Sequence, residues 1–430
     1  MTAEVAILNR RAVALAADSA ITISYWEGGE RKTRYFKGTN KIFNISNKFP
    51  VGLMIYHAGS IEGMPWEIIA NAYRDRRGND PQERLADYAK HFFDFIESDN
   101  HLFPQDFKES QFVSKMVGVV LRICSVLDRD LQEAKREVHS KKRLDLLRNG
   151  LENLRRAIEQ DTYLKCPECE YIEKEAQLYR NRVLKEIEKY ELFDVIKDVL
   201  DFGEVYNVAA SALMKEDWTT LQTTGLVFAG YGENDYFPRI HHRMCYGILL
   251  GRLIVTPVDD EASDVSHDNV SEIIPIAKSD MMDTFICGAS TDALVEIDGF
   301  FENCIEGLVD AMKKSGTIAG GVDYSSEKNA ACIDFREKVS EYLAREHTKP
   351  LRNVIGMLSV GELAEIAETL VSIESLKERV TRPTESVSGP IDVAVISKSD
   401  GFIWIKRKHY FDPGLNSRLF AHHGIPGTKA

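Results

Sequence analysis

The sequence has little of what marks secreted or membrane-spanning proteins. Its 430 residues include only seven cysteines, too few for a disulfide framework and typical of the reducing cytoplasm. No run of about 18 apolar residues occurs, and the best candidate, Met244 to Val255, is short and interrupted by Arg252. The N-terminus lacks a basic start and an apolar core, so the sequence predicts no secretory signal. We therefore expect a cytoplasmic protein that does not cross a membrane.

Positive charge is also in deficit. The chain has 54 lysines and arginines against 67 aspartates and glutamates, a formal net charge of −13. An acidic surface disfavours nucleic acid and anionic membranes as the main partners. No GxxxxGK[ST] phosphate loop is present, and we expect no bound cofactor and no metal at the functional site.

What is there is the composition of a soluble globular protein, with 44% apolar and 28% charged residues. At roughly 150 residues per domain, the length allows two or three domains. Apolar runs bounded by turn residues predict strands. These predicted strands are 1–8, 12–19, 33–36, 41–45, 51–56, 224–231, 283–286, 391–397 and 402–405.

Between several of these predicted strands, apolar residues recur at helical spacing. The predicted helices are 65–73, one that follows Pro81, 294–312, 327–345, and one through Leu376 that opens with the capping box Ser359 to Glu362. Antiparallel strands that alternate with helix pairs predict an α+β fold, a four-layer αββα sandwich with helices outside and two sheets inside.

Residues 128–202 differ from the rest because they are rich in Lys, Arg, Glu and Leu. Apolar residues recur at helical spacing in two arms, from Leu144 to Ile158 and from Leu184 to Val199. The pattern predicts a long helical hairpin inserted into the sandwich. It serves either as an interaction surface or as a solvated decoration with one apolar stripe.

The segment between the two arms holds Cys166 and Cys169, spaced as in half of a zinc knuckle. No second CxxC or HxxxH follows, so a four-ligand metal site would need scattered partners. The alternative is a hairpin tip with two free thiols.

Thr2 is the residue that points most directly to chemistry. Methionine aminopeptidases remove Met1 before a small residue, so the mature chain would begin with Thr2. The α-amine of an N-terminal threonine has a pKa of about 7.7–8.0 and lies beside the hydroxyl. Such a residue carries its own base and is an activated nucleophile. The alternative is an ordinary second residue.

The ordered set of segments resembles the β-type subunits of the proteasome and their bacterial relatives HslV and Anbu, which are N-terminal-nucleophile (Ntn) hydrolases. The resemblance covers residues 2–110 and 220–412. It is carried by Thr2 to Ala6, Leu15 to Ser19, Gly38 to Ile42, Ala58 to Ser60 and, more weakly, Ser388-Gly389.

This resemblance implies roles for six residues. Thr2 would attack a peptide carbonyl and form an acyl-enzyme ester, with its amine or a water taking the proton. Lys41 would lower the pKa of the hydroxyl, and Asp18 would hold Lys41 as an ammonium. The Gly59 N–H would face the oxyanion. Ser388 would orient the amine, and Glu385 stands where the family has aspartate. Each residue also has an ordinary alternative, such as a cap, a surface charge or a turn.

The chain departs from the family pattern at two further places. Gly288-Ala289-Ser290 replaces the usual Gly-Ser-Gly, so the serine expected there is missing or displaced to Ser290. The loop from Tyr25 to Lys32 is longer than usual. These departures bear on activity more than on fold.

Taken together, the sequence predicts a core in two parts, 1–110 and 220–412, a helical insertion at 111–219 and a C-terminal tail at 413–430. The predicted function is a threonine-type peptidase in a self-compartmentalised homo-oligomer, a ring or a spiral. It would act on polypeptide, with any ATP-dependent unfoldase on a separate chain. The alternatives are a catalytically impaired structural subunit or scaffold, and an amidase that acts on a small amide.

Overall fold

The computed structural model describes residues 2–27, 30–133, 140–190, 201–258, 265–319, 321–381, 389–409 and 411–416. Within these residues the protein is mixed α+β, and its sheets are antiparallel. The strands are β1 (Ala3–Asn9), β2 (Ala12–Ala17), β3 (Ala20–Glu27), β4 (Glu30–Lys37), β5 (Ile42–Asn44), β6 (Val51–His57), β7 (Ser60–Ile61), β8 (Met64–Pro65), β9 (Thr224–Gly230), β10 (Arg239–Leu249), β11 (Arg252–Pro257), β12 (Ser271–Ala277), β13 (Asp392–Ser397) and β14 (Gly401–Lys406).

The helices lie between β8 and β9 and between β12 and β13. They are α1 (Trp66–Arg76), α2 (Leu85–Ser98), α3 (Gln105–Glu133), α4 (Ser140–Gln160), α5 (Cys169–Ala176), α6 (Arg180–Ile187), α7 (Phe202–Ala212), α8 (Asp280–Cys287), α9 (Thr291–Lys314), α10 (Ser325–Leu343), α11 (Lys349–Met357) and α12 (Val360–Thr381).

Two five-stranded sheets form the centre of the fold. The first has the order β12-β1-β2-β13-β14, and the second has the order β11-β10-β9-β6-β5. β1 is an inner strand, with Val5 opposite Ala16 of β2 and opposite Pro275 of β12. The start of the chain is therefore fixed in register by two neighbours.

An apolar core lies between the two sheets. Leu8 of β1 is buried in one cluster with Met54 and Val227 of the second sheet. Ile7, the next residue along β1, is buried in another cluster with Leu370 of α12. Alternate residues of a strand point to opposite faces, so β1 is covered on both sides. Each such buried side chain contributes about 1.5–3 kcal/mol.

The other face of the second sheet is covered by α1 and α2. Trp66, Tyr73 and Phe92 of these helices are fully buried with Phe228 of β9. The Phe92 ring makes edge contacts with Tyr73 and Phe228, at centroid distances of 5.0 and 5.5 Å. Edge-to-face pairs of this kind add about 0.5–1.5 kcal/mol beyond burial.

Helices α3 to α7 form a unit with its own core, which differs from the predicted two-armed hairpin. The buried residues of this core include Met116, Leu147, Ile172 and Val205. The first arm is α4, and Cys166-Pro167 follows it as predicted. Helix α5 and a short 3₁₀ turn then precede the predicted second arm, and α6 covers only its first residues, from Leu184 to Ile187. The long α3 was not predicted as a separate helix; its apolar face packs against α4 and α6, and residues such as Ser114 and Arg122 are exposed on its opposite face. The predicted boundary at 110 falls inside α3, and Leu192, Val195, Ile196 and Val199 lie outside the described residues.

Several predicted elements are confirmed at their ends. The Ser359 N–H donates to the Glu362 carboxylate at 2.8 Å, and the Glu362 N–H donates to Ser359 Oγ at 3.4 Å, which is the predicted capping box. β13 and β14 form the predicted hairpin, with Gly401 at φ +74° after its turn. Only glycine adopts that backbone conformation without strain.

The predicted strand at 283–286 is wrong, because these residues belong to helix α8. Gly288, at φ +84°, ends the helix, and its N–H donates to the Thr284 carbonyl at 2.9 Å. A run of four apolar-rich residues fits either a strand or a buried helix turn. One edge strand of the first sheet is β12. The sequence did not predict β10, β11 or β12 as strands.

The segment from Tyr25 to Lys32, read as a long loop, includes the paired ends of β3 and β4. Tyr25 lies opposite Lys32 in this two-stranded ribbon, and Glu27 lies opposite Glu30. The predicted strand at 33–36 is confirmed within β4. The predicted tail begins with a short 3₁₀ turn at Pro413–Asn416, and residues 417–430 lie outside the described part of the chain.

Candidate active site

Thr2 lies directly before β1 and is held by the neighbouring strand. The Lys278 N–H, one residue after β12, donates to the Thr2 carbonyl oxygen at 3.0 Å. Thr2 and Glu4 are two residues apart on an extended chain, so their side chains share a face. Thr2 Oγ1 donates to Glu4 Oε2 at 3.1 Å. The hydroxyl of residue 2 is therefore directed at a carboxylate.

Asp18 follows β2 and is fixed by the backbone around it. Its N–H donates to the Ala3 carbonyl oxygen at 3.1 Å. Its Oδ1 accepts the Ala3 N–H at 3.1 Å, and its Oδ2 accepts the Ala20 N–H at 3.3 Å. Both carboxylate oxygens thus accept hydrogen bonds from backbone N–H groups. These bonds fix the Asp18 side chain beside Ala3, the residue that follows Thr2.

Lys41 precedes β5 and links the two carboxylates. Its Nζ donates to Asp18 Oδ1 at 2.6 Å and to Glu4 Oε1 at 2.9 Å. The exposed fraction is 4% for Thr2 and Lys41, 1% for Asp18 and 0% for Glu4. We call these four residues the Thr2 network. A buried ammonium is tolerated here because two carboxylates accept its hydrogen bonds. Without Lys41, an ionised Asp18 or Glu4 would be an uncompensated buried charge.

Glu4 has an altered proton affinity in this network. Burial raises the pKa of its carboxyl from 4.5 to about 7, against the opposing effect of the Lys41 ammonium. The carboxyl is close to half ionised at neutral pH. A hydrogen-bonded group with such a pKa can take a proton from the Thr2 hydroxyl and return it.

Glu4 was missed by the sequence reasoning, although a signal was present. Residues 3–8 were interpreted only as a strand, and Glu4 is the one charged residue in that apolar run. A charged side chain in a strand buried on both faces requires a partner. That requirement alone could have identified Glu4 as part of a site.

Two residues beside the network have a left-handed backbone. His57, at the end of β6, has φ +66°, and Ala277, which pairs with Ala3, has φ +62°. Non-glycine residues in this region cost on the order of 1–3 kcal/mol and are concentrated at functional sites. The hydroxyl of Tyr56 is 2.7 Å from His242 Nε2. Burial, and then the Glu4 carboxylate, raise the pKa of the Tyr56 phenol.

Gly59 lies two residues after His57, in the turn between β6 and β7. Its carbonyl oxygen accepts the Trp66 N–H at 3.1 Å, which joins this turn to the start of α1. The role predicted for the Gly59 N–H, donation to an oxyanion, stays a prediction. A cavity of about 270 Å³ begins at the next residue, Ser60, and the buried ion pair of Glu62 and Lys115 lies in its wall.

Ser290, the displaced serine of the sequence pattern, caps a helix. Its Oγ accepts the Ala293 N–H at 3.3 Å at the N-terminus of α9. A capping hydroxyl of this kind is committed to the helix end. The remaining predicted site residues, Glu385 and Ser388, lie outside the described residues.

A second charged cluster begins at Lys278. Its Nζ is 2.6 Å from Glu378 and 3.4 Å from Asp280, and Lys377 Nζ donates to Asp280 at 3.1 Å. Burial lowers the pKa of the Lys278 ammonium, but the hydrogen bonds and charges of Glu378 and Asp280 together outweigh this effect, and the pKa is raised. Glu374 accepts the backbone N–H of residue 281 at 2.7 Å. These contacts fasten α12 to the segment that holds the Thr2 carbonyl.

Metal ligands and membrane-spanning helices are two further features to be considered within the described ranges. There, no group of three or more His, Cys, Asp or Glu side chains is arranged to hold a metal ion. One segment, Gln105–Asp128 in α3, is long and apolar enough to cross a membrane by length and composition, and 50% of its apolar window is buried in the protein. Core helices of globular proteins pass the same test.

Comparison of the chain with protein-family models, with curated proteins and with solved structures gave no match in any of the three searches.

Proposed function

We propose that the protein is a threonine-type peptidase of the N-terminal-nucleophile class, with Thr2 as the nucleophile once Met1 is removed. The observation that carries this proposal is the buried Lys41 ammonium, held by Asp18 and Glu4 beside the Thr2 hydroxyl. A surface lysine or a strand-end aspartate in an ordinary structural role would not need this burial and pairing.

The finer fold assignment, a four-layer αββα sandwich of the Ntn-hydrolase type, is part of this proposal. Its support is the core shared by the two sheets, together with the helices that pack on the outer face of each. In this arrangement β1 is an inner strand, so the residue before it lies at one edge of the sandwich beside the turns that follow β2 and β6.

The chemistry proposed for the site is acyl transfer. Thr2 Oγ attacks the carbonyl carbon of a peptide bond while its proton passes to a base. The carbon–nitrogen bond breaks, the leaving amine takes that proton, and an ester joins Thr2 to the acyl group. Water then attacks the ester carbonyl and frees Thr2. The Gly59 N–H is proposed to stabilise the oxyanion in both steps.

The proposed reaction has two candidate acceptors for the hydroxyl proton. One is the α-amine of Thr2, exposed by removal of Met1. The other is Glu4 Oε2, already 3.1 Å from Oγ1. The Lys41 ammonium favours the ionised form of Glu4 and so keeps this second base available. Activity through Glu4 alone would follow the ionisation of that carboxyl, with loss of rate below about pH 7.

The proposal includes an enclosed homo-oligomer, a ring or a spiral, in the cytoplasm, polypeptide as substrate and a separate ATP-dependent unfoldase. Enclosure of the site would protect other cytoplasmic proteins from an unselective hydrolase.

A structural subunit without turnover is the second candidate. Two observations favour it: Ser290 is used as a helix cap, and Thr2 is only 4% exposed. Under this alternative the Thr2 network fixes the start of β1 and has no chemical role.

Two measurements separate the candidates. Intact mass of the purified protein shows whether Met1 is removed. A peptide epoxyketone should then label wild-type protein on Thr2, label the Thr2→Ser variant, and leave Thr2→Ala unlabelled. Thr369→Ala, which alters an exposed threonine on α12, is the matched control and should be labelled as wild type. Protein with a free Thr2 amine and no labelling would favour the structural subunit.

A further inference from the structure

The two cysteines between α4 and α5 lie close together. Cys166 Sγ and Cys169 Sγ are 3.0 Å apart. A disulfide requires about 2.05 Å between sulfur atoms, so closure asks for a displacement of only about 1 Å. We propose that Cys166 and Cys169 form a reversible dithiol–disulfide site, oxidised and reduced by small thiol–disulfide couples of the glutathione type.

The turn that carries the pair is held in place from both sides. The Leu164 N–H donates to the Met214 carbonyl oxygen at 2.8 Å, and the Cys166 N–H donates to the Leu164 carbonyl oxygen at 2.7 Å. Lys215 Nζ donates to the Asp161 carbonyl oxygen at 2.7 Å. These bonds fix the backbone up to the first cysteine, and after it the Ile172 N–H donates to the Glu168 carbonyl oxygen at 2.9 Å. The folded protein therefore presents the two thiols at a high effective concentration, since little chain entropy is left to lose.

The environment of the pair distinguishes it from the buried single cysteines. The hydrogen bond from the Cys166 thiol lowers the pKa of Cys169, and the same shared proton raises the pKa of Cys166. Burial raises the pKa of Cys124 and of Cys245 to about 12, which keeps both as inert thiols.

The exposure of the two sulfurs assigns a role to each. Cys166 is half-buried and open to a small oxidant, whereas Cys169 is 5% exposed at the first residue of α5. The thiol proton of Cys166 passes to Cys169, which shares it across 3.0 Å, as the Cys166 sulfur attacks one sulfur of glutathione disulfide. A mixed disulfide forms, and one glutathione thiolate is released. Cys169 then attacks the Cys166 sulfur and releases the second. Two thiol protons pass to the two leaving thiolates, so the dithiol is oxidised as glutathione disulfide is reduced.

Metal binding is the competing reading of this spacing. A tetrahedral zinc site requires two ligands beyond these two thiolates. Among the described residues, no third or fourth side chain completes such a group. The two-thiol geometry is sufficient for a disulfide and insufficient, within those residues, for zinc.

The test uses the full-length protein in glutathione buffers of graded ratio, followed by thiol blocking and trypsin digestion. Cleavage after Lys165 and Lys174 yields one peptide that contains both cysteines and no other. We expect this peptide to escape blocking in oxidising buffer, with a mass two hydrogen atoms below that of the unblocked dithiol, and to take up two blocking groups after dithiothreitol. In urea the same conversion should be roughly tenfold less favourable, because the turn no longer aligns the thiols.

Two variants test the separate roles. Cys169→Ser should trap a stable glutathione adduct on Cys166, since no second thiol resolves it. Cys166→Ser should leave Cys169 reduced. Cys304→Ser, which removes an exposed single cysteine, is the matched control and should oxidise at 166–169 as wild type does.

Two results would overturn the proposal. The first is a 166–174 peptide that stays reduced in a buffer in which Cys304 already carries glutathione. The second is stoichiometric zinc that protects both thiols until a chelator removes it. The wild-type measurement decides even where a variant fails to fold, and neither result bears on Thr2.

Discussion

Glu4 is the single residue with the largest consequence for pH dependence. Its pKa is raised by burial from 4.5 to about 7, so between these values the folded protein binds a proton that the unfolded chain has released. Its contribution to stability is therefore fully present below pH 4.5 and is lost as the pH rises through about 7. The free energy of unfolding should fall by on the order of 3 kcal/mol over that range because of this group.

Glu4→Gln tests this expectation, since glutamine keeps the hydrogen-bond acceptor and does not titrate. Urea unfolding at about pH 5 and about pH 8 should show a smaller pH-dependent loss in the variant than in wild type. The comparison between proteins cancels the other titrating groups. An identical pH dependence in both proteins would show that Glu4 has an ordinary pKa.

Lys41 is the second residue whose replacement has a definite sign. Lys41→Met leaves two buried carboxylates without their cation, so we expect a loss of about 3–5 kcal/mol in the free energy of unfolding. Lys338→Met is the control, because its ion pair with Asp334 is exposed on α10, where solvent screens it and it should contribute little to stability. Denaturant unfolding at neutral pH measures both variants. Equal losses would argue against the burial of the Lys41 pair.

At the scale of elements, the start of α12 offers a test of local stabilisation. Ser359→Ala removes one half of the capping box and should cost about 1 kcal/mol of unfolding free energy. Ser372→Ala, in the middle of the same helix, is the matched control. It should be neutral or slightly stabilising, because alanine has the higher helix propensity. A similar effect of both changes would mean that the cap adds nothing.

Elements whose ends are marked by turn or cap residues could be predicted from the sequence. The β13–β14 hairpin and the capped α12 have turn and cap residues that act locally, and they were found. β10 was missed because its first residues, including His241, His242 and Arg243, are polar and half-buried, and because the apolar run that begins at Met244 was considered only as a membrane span. Helix α3 was not predicted as a separate element, although a helical signal was present: Ser110, Ser114, Gly118, Arg122 and Ser125 are exposed at helical spacing, opposite a buried apolar stripe.

The candidate site could likewise be predicted only in part from the sequence. Thr2, Asp18 and Lys41 could be grouped in advance only through a family resemblance, since they are far apart in the sequence. No local pattern specifies that residue 41 reaches residue 4. That contact depends on the packing of β5 against the first sheet, and it can be read only from the fold.

At the scale of the molecule, the helical unit and the sheets have largely separate cores. Ile172 is fully buried among α3 to α7, and Leu15 is fully buried between the sheets. Ile172→Ala and Leu15→Ala should each cost about 2–5 kcal/mol, and each cost should fall mainly on its own unit. Hydrogen exchange followed by mass spectrometry should show faster exchange in 140–190 for the first variant and in the sheets for the second.

Faster exchange throughout the chain in both variants would show one cooperative unit. In that case the contact of α3 with β10, together with Leu249 and Ile254 in the helical core, couples the two regions fully.

The net charge of the Thr2 network changes by one unit when Glu4 ionises. With Glu4 protonated, Lys41 and Asp18 cancel and the network is neutral, whereas release of that proton leaves it with one net negative charge. A boronic acid, whose tetrahedral adduct on a hydroxyl is anionic, would meet repulsion from this charge in alkaline solution and none in mildly acidic solution. An inhibitor that forms a neutral adduct would be insensitive to it. The choice of warhead for this protein therefore depends on the acidity of the medium.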